Sequence, residues 1–182
     1  MDPFVKKPDP IAPEPEVEAR MAQLSAYTVI GEETTDRRTD KATFTSTGEA
    51  GASAIYLRDG GTLYLKNPEI HGYGEMTQED LRNELGSKYG FCAAVLSNQK
   101  TSHVTLVNPK IVCHEQSTAN GAYAIFGGAV VIEGGTIEKA KGGDGYGSHD
   151  AGDGIHSDGK LTISGGTIGT AQGGNGTISG GS

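Results

Sequence analysis

Four carboxylates, Asp144, Asp150, Asp153 and Asp158, fall within a single glycine-rich stretch that also carries Tyr146, His149 and His156. Several oxygen ligands on a backbone that glycines allow to fold back are what a hard cation such as Ca2+ requires. The spacing is not that of an EF-hand loop, which places glycine at its sixth position and glutamate at its twelfth. The competing reading is a solvated Gly-Asp loop whose acids keep it soluble. His149 and His156 have neither a cysteine nor a His-Glu-x-x-His spacing beside them, so zinc is not expected there. Asp150, Asp153 and Asp158 also have the chemistry of a glycosidase pair, one acid and one nucleophile or base. A polysaccharide lyase would instead want a lysine or arginine base beside calcium, and Lys139, Lys141 and Lys160 are near in sequence without a recognisable arrangement. No nucleophile elbow, phosphate loop or dinucleotide fingerprint occurs.

The elements that must position these residues are set by an internal repeat. Four segments superpose: 54–70, 94–111, 124–137 and 154–168. Each opens with a small residue and then Ile55, Val95, Ile125 or Ile155. An alternating apolar pair follows, Leu63/Leu65, Val104/Leu106, Val130/Ile132 or Leu161/Ile163, and then Ile70, Ile111, Ile137 or Ile168. Alternation of period two describes strands with one buried face. The Asn-Pro or Gly-Gly between the pair and the isoleucine reads as a corner. Equivalent isoleucines are 41, 26 and 31 residues apart, so loops vary in length while the core positions keep their offset. Three strands and their corners make one rung of a solenoid, which buries its apolar row only by stacking on neighbours. The expected fold is therefore all-β, a short right-handed parallel β-helix of about five rungs with an N-terminal cap helix.

Composition agrees with that architecture. The chain has 182 residues, enough for one domain with a sizeable core. Its 29 glycines, about twice ordinary usage, crowd toward the carboxyl end and do not suit a helical bundle. A net charge of −8 with no basic stripe argues against a nucleic-acid partner. No apolar run is long enough for a membrane span. Cys92 and Cys113 are too few for a disulfide framework, and their phases place Cys92 outward and Cys113 inward.

Residues 1–16 form a Pro-rich, flexible leader, and 17–182 the β-helix domain. Val17, Met21 and Leu24 lie on one face of a short helix over about residues 15–25, docked on the end of the fold. A helical insert is expected at about residues 75–87, with Thr77 as N-cap, Asp80 as the acid three positions on, and Gly86 closing it. Tyr56, Phe126 and His156 each follow the rung-opening residue by one. Alternation turns them outward, where they would form a ladder able to stack on sugar rings. Near the carboxyl end, residues 176–182 are still repeating, with no polar cap after them. The final rung is expected to pair with another chain, or to continue in a longer protein, so the domain reads as incomplete there.

The strings GDGIHSDGKLTISGGTI (152–168) and AIYLRDGGTLYLKNPEI resemble rungs of secreted bacterial β-helix proteins, including calcium-containing carbohydrate-binding β-helix proteins and adhesin-like surface repeats. The resemblance covers roughly residues 51–180, and it implies calcium near Asp153 and Asp158. The resulting expectation is a secreted or cell-surface, non-enzymatic module that binds polysaccharide or cell-surface glycan and is stabilised by calcium. Tyr56, Phe126, Tyr146, His149 and His156 are its ligand-binding candidates, and Asp144, Asp150, Asp153 and Asp158 its metal ligands. The alternatives are a lyase or hydrolase acting on acidic polysaccharide, and a structural subunit that assembles through its open end.

Overall fold

In the computed structural model each aligned segment becomes three short strands, and each strand pairs in parallel with its equivalent in the neighbouring tier, on both sides for all but the segment at 154–168. The structure describes residues 15–30, 34–37, 42–49, 51–58, 60–73, 76–83, 85, 89–97, 102–114, 125–127, 129–141, 154–157 and 160–173. The first sheet contains β1 (Tyr27–Ile30), β4 (Ile55–Arg58), β7 (Val95–Ser97), β10 (Ile125–Gly127) and β13 (Ile155–Ser157), in that order. The second contains β2 (Thr34–Arg37), β5 (Thr62–Lys66), β8 (His103–Val107), β11 (Ala129–Glu133) and β14 (Leu161–Ser164). The third contains β3 (Thr43–Thr45), β6 (Glu69–Gly72), β9 (Lys110–Cys113), β12 (Thr136–Lys141) and β15 (Thr167–Ile168). A short β16 (Ala171–Gln172) pairs with the far end of β12.

The register is the one the repeat predicts. Ile70, Ile111, Ile137 and Ile168 are direct partners in sequence order. So are Leu63, Val104, Val130 and Leu161, and likewise Leu65, Leu106, Ile132 and Ile163. Residues before the first recognised repeat extend every row. Tyr27 partners Ile55, Thr35 partners Leu63, Arg37 partners Leu65, and Phe44 partners Ile70. The inward side chains of all three sheets merge into one core that includes Phe44, Ile55, Leu65, Ile70, Val95, Leu106, Ile111, Ile132 and Ile137. Burial fades at the last tier, where Leu161, Ile163 and Ile168 are 43, 40 and 40 % exposed.

Corners between the second and third sheets stack as regularly as the strands. Asn67 and Asn108 adopt the left-handed conformation (φ 53° and 50°), each just before a proline, and Gly134 and Gly165 take the same place in the next two tiers (φ 71° and 70°). The Asn108 side-chain amide donates to Asn67 Oδ1 at 2.8 Å. Backbone bonds tie successive corners together: the N–H groups of Asn67, Asn108 and Gly134 donate to the carbonyls of Val107, Glu133 and Ser164.

Among the described residues, two helices lie over the outer face of the first sheet. Helix α1 (Pro15–Leu24) and helix α2 (Gln78–Arg82) flank a second buried cluster of Met21, Tyr56, Met76, Leu85, Phe91, Cys92, Ala93 and Leu96, with Val17 packed against it. The helix expected to cap the end therefore packs on the side of the fold. Helix α2 begins as expected. The Asp80 N–H donates to Thr77 Oγ1, and Asp80 Oδ2 accepts from the Thr77 N–H, both at 3.1 Å. This reciprocal pair satisfies two amide groups at the helix start. Arg20 of α1 then closes on the same carboxylate through two bonds, 2.7 and 2.9 Å. No described helix is long and apolar enough to cross a membrane.

Candidate functional site

The aromatic row expected on the first sheet forms in register but is not an exposed ladder. Tyr56 pairs across to Leu96, Leu96 to Phe126, and Phe126 to His156. Tyr56, however, is fully buried beneath α1 and the insert. The correction has a simple cause. Outward Tyr56 and Leu96 together with the Val17/Met21 stripe make two apolar surfaces, and each removes the other from water. His156 is half-buried, and the side chain of Phe126 lies outside the described residues. Asp144, Tyr146, His149, Asp150, Asp153, Asp158 and Gly86 lie outside them as well.

A polar cluster occupies the outer face of the third sheet, at positions one before and one and three after the isoleucines that the repeat singles out. Alternation sends Ile70, Ile111 and Cys113 inward, and leaves Glu69, His71, Lys110 and Val112 less buried on the other side. Tyr73 and His114 continue this phase just past their strand ends. The two rings stack with centroids 4.0 Å apart and planes 4° apart. Ser46 fixes the Tyr73 backbone by donating its hydroxyl to the Tyr73 carbonyl at 2.6 Å, and the His114 N–H donates to the Gly72 carbonyl at 2.9 Å. Gly72 is needed here, because a Cβ would come within 2.8 Å of Ala94 Cβ on the inner side.

His71 joins the stack to the charged residues. Its Nδ1 lies 3.2 Å from His114 Nε2, and its Nε2 lies 3.0 Å from Glu69 Oε1. Lys110 Nζ reaches Glu69 at 3.3 Å and Glu138 at 3.7 Å. The hydrogen bond from His71 and then that from Lys110 hold the Glu69 carboxyl below its ordinary range. An ionised carboxylate only accepts, so His71 Nε2 carries a proton. Nδ1 is then the ring nitrogen left facing His114. Next to this cluster, the pairing of β12 with β9 shifts between Ile137 and Lys139, an irregularity that re-aims side chains.

This arrangement can bind polar ligands, share a proton between two imidazoles and present a flat ring pair. It contains no activated nucleophile. Cys113 is inward and buried, and burial pushes its thiol up to about 12, with Lys139 opposing weakly. Cys92 lies in the outer cluster, and neither cysteine is in a disulfide. Among the described residues, no three His, Cys, Asp or Glu side chains converge as a metal-binding group. The signal for the His71 cluster was present in the sequence. Carrying the alternation three residues past Ile70 and Ile111 puts His71, Tyr73, Val112 and His114 on one outward face. Comparison with protein families, curated proteins and solved structures found no match for this chain.

Proposed function

We propose that the chain is a right-handed parallel β-helix that serves as an extracellular, non-enzymatic module binding polysaccharide or cell-surface glycan. Three parallel sheets around one core support the coil, and the strong preference of parallel crossovers for one hand supports its right-handedness. The likeness of residues 152–168 to secreted bacterial β-helix rungs supports the location. The observation that carries the binding reading is the stacked Tyr73–His114 pair, flanked by His71, Glu69 and Lys110 on an open sheet face. Flat rings supply apolar contact for a sugar face, and adjacent charges supply hydrogen bonds to its hydroxyls. Calcium belongs to the same proposal, held by Asp144, Asp150, Asp153 and Asp158.

A glycan array, read beside an assay for new reducing ends and unsaturated products, tests the reading. Saturable binding without turnover, weakened about tenfold or more by Tyr73→Ala, is the expected result. Turnover that disappears in Asp153→Ala would establish the alternative, an enzyme acting on acidic polysaccharide. Chelation by EDTA should lower the melting temperature and added Ca2+ should restore it; an unchanged melting curve removes calcium from the proposal. A second reading, assembly through the last tier, is favoured by the exposure of Leu161, Ile163 and Ile168. It predicts self-association in sedimentation velocity that Ile163→Lys abolishes.

A further inference from the structure

We propose that His71 and His114 form a two-histidine site for a divalent transition metal, Zn2+, on the outer face of the third sheet. Zinc binds imidazole nitrogen at about 2.0–2.1 Å, so two nitrogens on one tetrahedral ion stand about 3.3 Å apart. His71 Nδ1 and His114 Nε2 are 3.2 Å apart, in rings whose centroids lie 5.5 Å apart with planes 23° from parallel, so the nitrogens meet nearly head-on and each ring must swing by roughly 40° to aim its lone pair at one ion.

A metal-binding histidine commonly gives its other ring N–H to a carboxylate, which fixes the tautomer and raises the basicity of the ligating nitrogen. Glu69 stands on Nε2 in that way, 3.0 Å away, leaving Nδ1 toward His114. Lys110 holds the same Glu69 oxygen from another side, at 3.3 Å, and so keeps the carboxylate in its supporting place. Glu69 is thus a positioning residue for the site.

Tyr73 lies flat against the His114 ring, which limits rotation without occupying a ring nitrogen in the plane. Both histidines are only partly buried, and among the described residues no third side chain closes the pair. An ion there would complete its shell with water, or with a carboxylate or hydroxyl oxygen of a bound ligand. A centre completed in that way would exchange its ion, unlike the closed four-ligand shell of a structural site.

Titration of Zn2+ into the full, metal-stripped chain tests the proposal, using calorimetry together with proton–nitrogen spectra of the imidazole rings. The expected result is one saturable site whose filling shifts the ring signals of His71 and His114. That site disappears in His71→Ala and in His114→Gln. In Glu69→Gln it weakens about 10–100-fold, with an altered tautomer at His71 in the metal-free protein. Far-ultraviolet dichroism of each variant separates loss of ligands from loss of fold, and the two single variants are independent of each other. Zinc binding that persists in the double variant would place the ion on other groups and overturn the proposal. So would ring spectra that respond to acid but not to zinc, which would leave only a hydrogen-bonded imidazole pair.

Discussion

Asn67, Asn108, Gly134 and Gly165 do the same job with different chemistry. Each holds the left-handed backbone of a corner, a conformation asparagine tolerates and glycine adopts freely. The asparagines add a side-chain bond from one tier to the next. A Cβ on Gly134 would meet nothing within 4 Å, so the ladder has room to extend. Gly134→Asn should therefore stay within about 1 kcal/mol of the parent, one further amide bond offsetting the strain of a side chain at φ +71°. Its neighbour behaves oppositely. A Cβ on Gly135 would stand 2.3 Å from the Pro109 carbonyl oxygen, and φ is +74°. Gly135→Ala should cost about 1–3 kcal/mol from backbone strain and displacement. Urea midpoints of the two variants check the pair, and equal effects would mean that the corner does not stack closely.

At the scale of elements, α1 and α2 are held to one another through Asp80. Its side chain is buried, accepts from Thr77 and receives both Arg20 nitrogens, while the Arg20 guanidinium lies 5.3 Å from the centre of the Phe91 ring. Burial pushes the Asp80 carboxyl up, but Arg20 and the Thr77 bonds together bring it below its ordinary value. In the unfolded chain it returns to about 3.9. The stabilisation is thus complete above that pH and drains away as acid carries the protein toward the lower folded value. Asp80→Ala should cost about 1–3 kcal/mol at pH 7, and the gap from the parent should narrow below about pH 4. A gap that stayed constant with pH would show that the carboxylate charge is not what joins the helices. The cap of α2 was legible because Thr77 and Asp80 are close in sequence. The burial of Tyr56 was not, because it requires α1 and the insert to meet over one sheet face. Similarly, β1, β2 and β3 escaped the repeat because Thr35 and Arg37 stand where later tiers have leucine, so the apolar spacing is broken although the register persists. The His71 cluster was within reach of the alternation, yet the bond between His71 and His114 joins positions 43 residues apart on neighbouring strands.

For the whole molecule, stacking makes the cost of a substitution depend on its tier. Ile111 and Ile137 have partners on both sides and are 0 and 2 % exposed, whereas Ile168 is 40 % exposed. Truncating a buried isoleucine removes its transfer energy and leaves a cavity that neighbouring tiers cannot fully collapse. Ile111→Ala and Ile137→Ala should each cost about 2–5 kcal/mol. Ile168→Ala loses a side chain already half in water and leaves no closed cavity, so about 1 kcal/mol or less is expected. If copies pair through that tier, the bound partner buries the side chain and its cost grows with protein concentration, since association stabilises the folded state by mass action. Denaturant unfolding of the three variants at two widely separated concentrations distinguishes these cases. Equal costs at all three positions, at both concentrations, would be incompatible with a single isoleucine row that is closed in the middle and open at its last member.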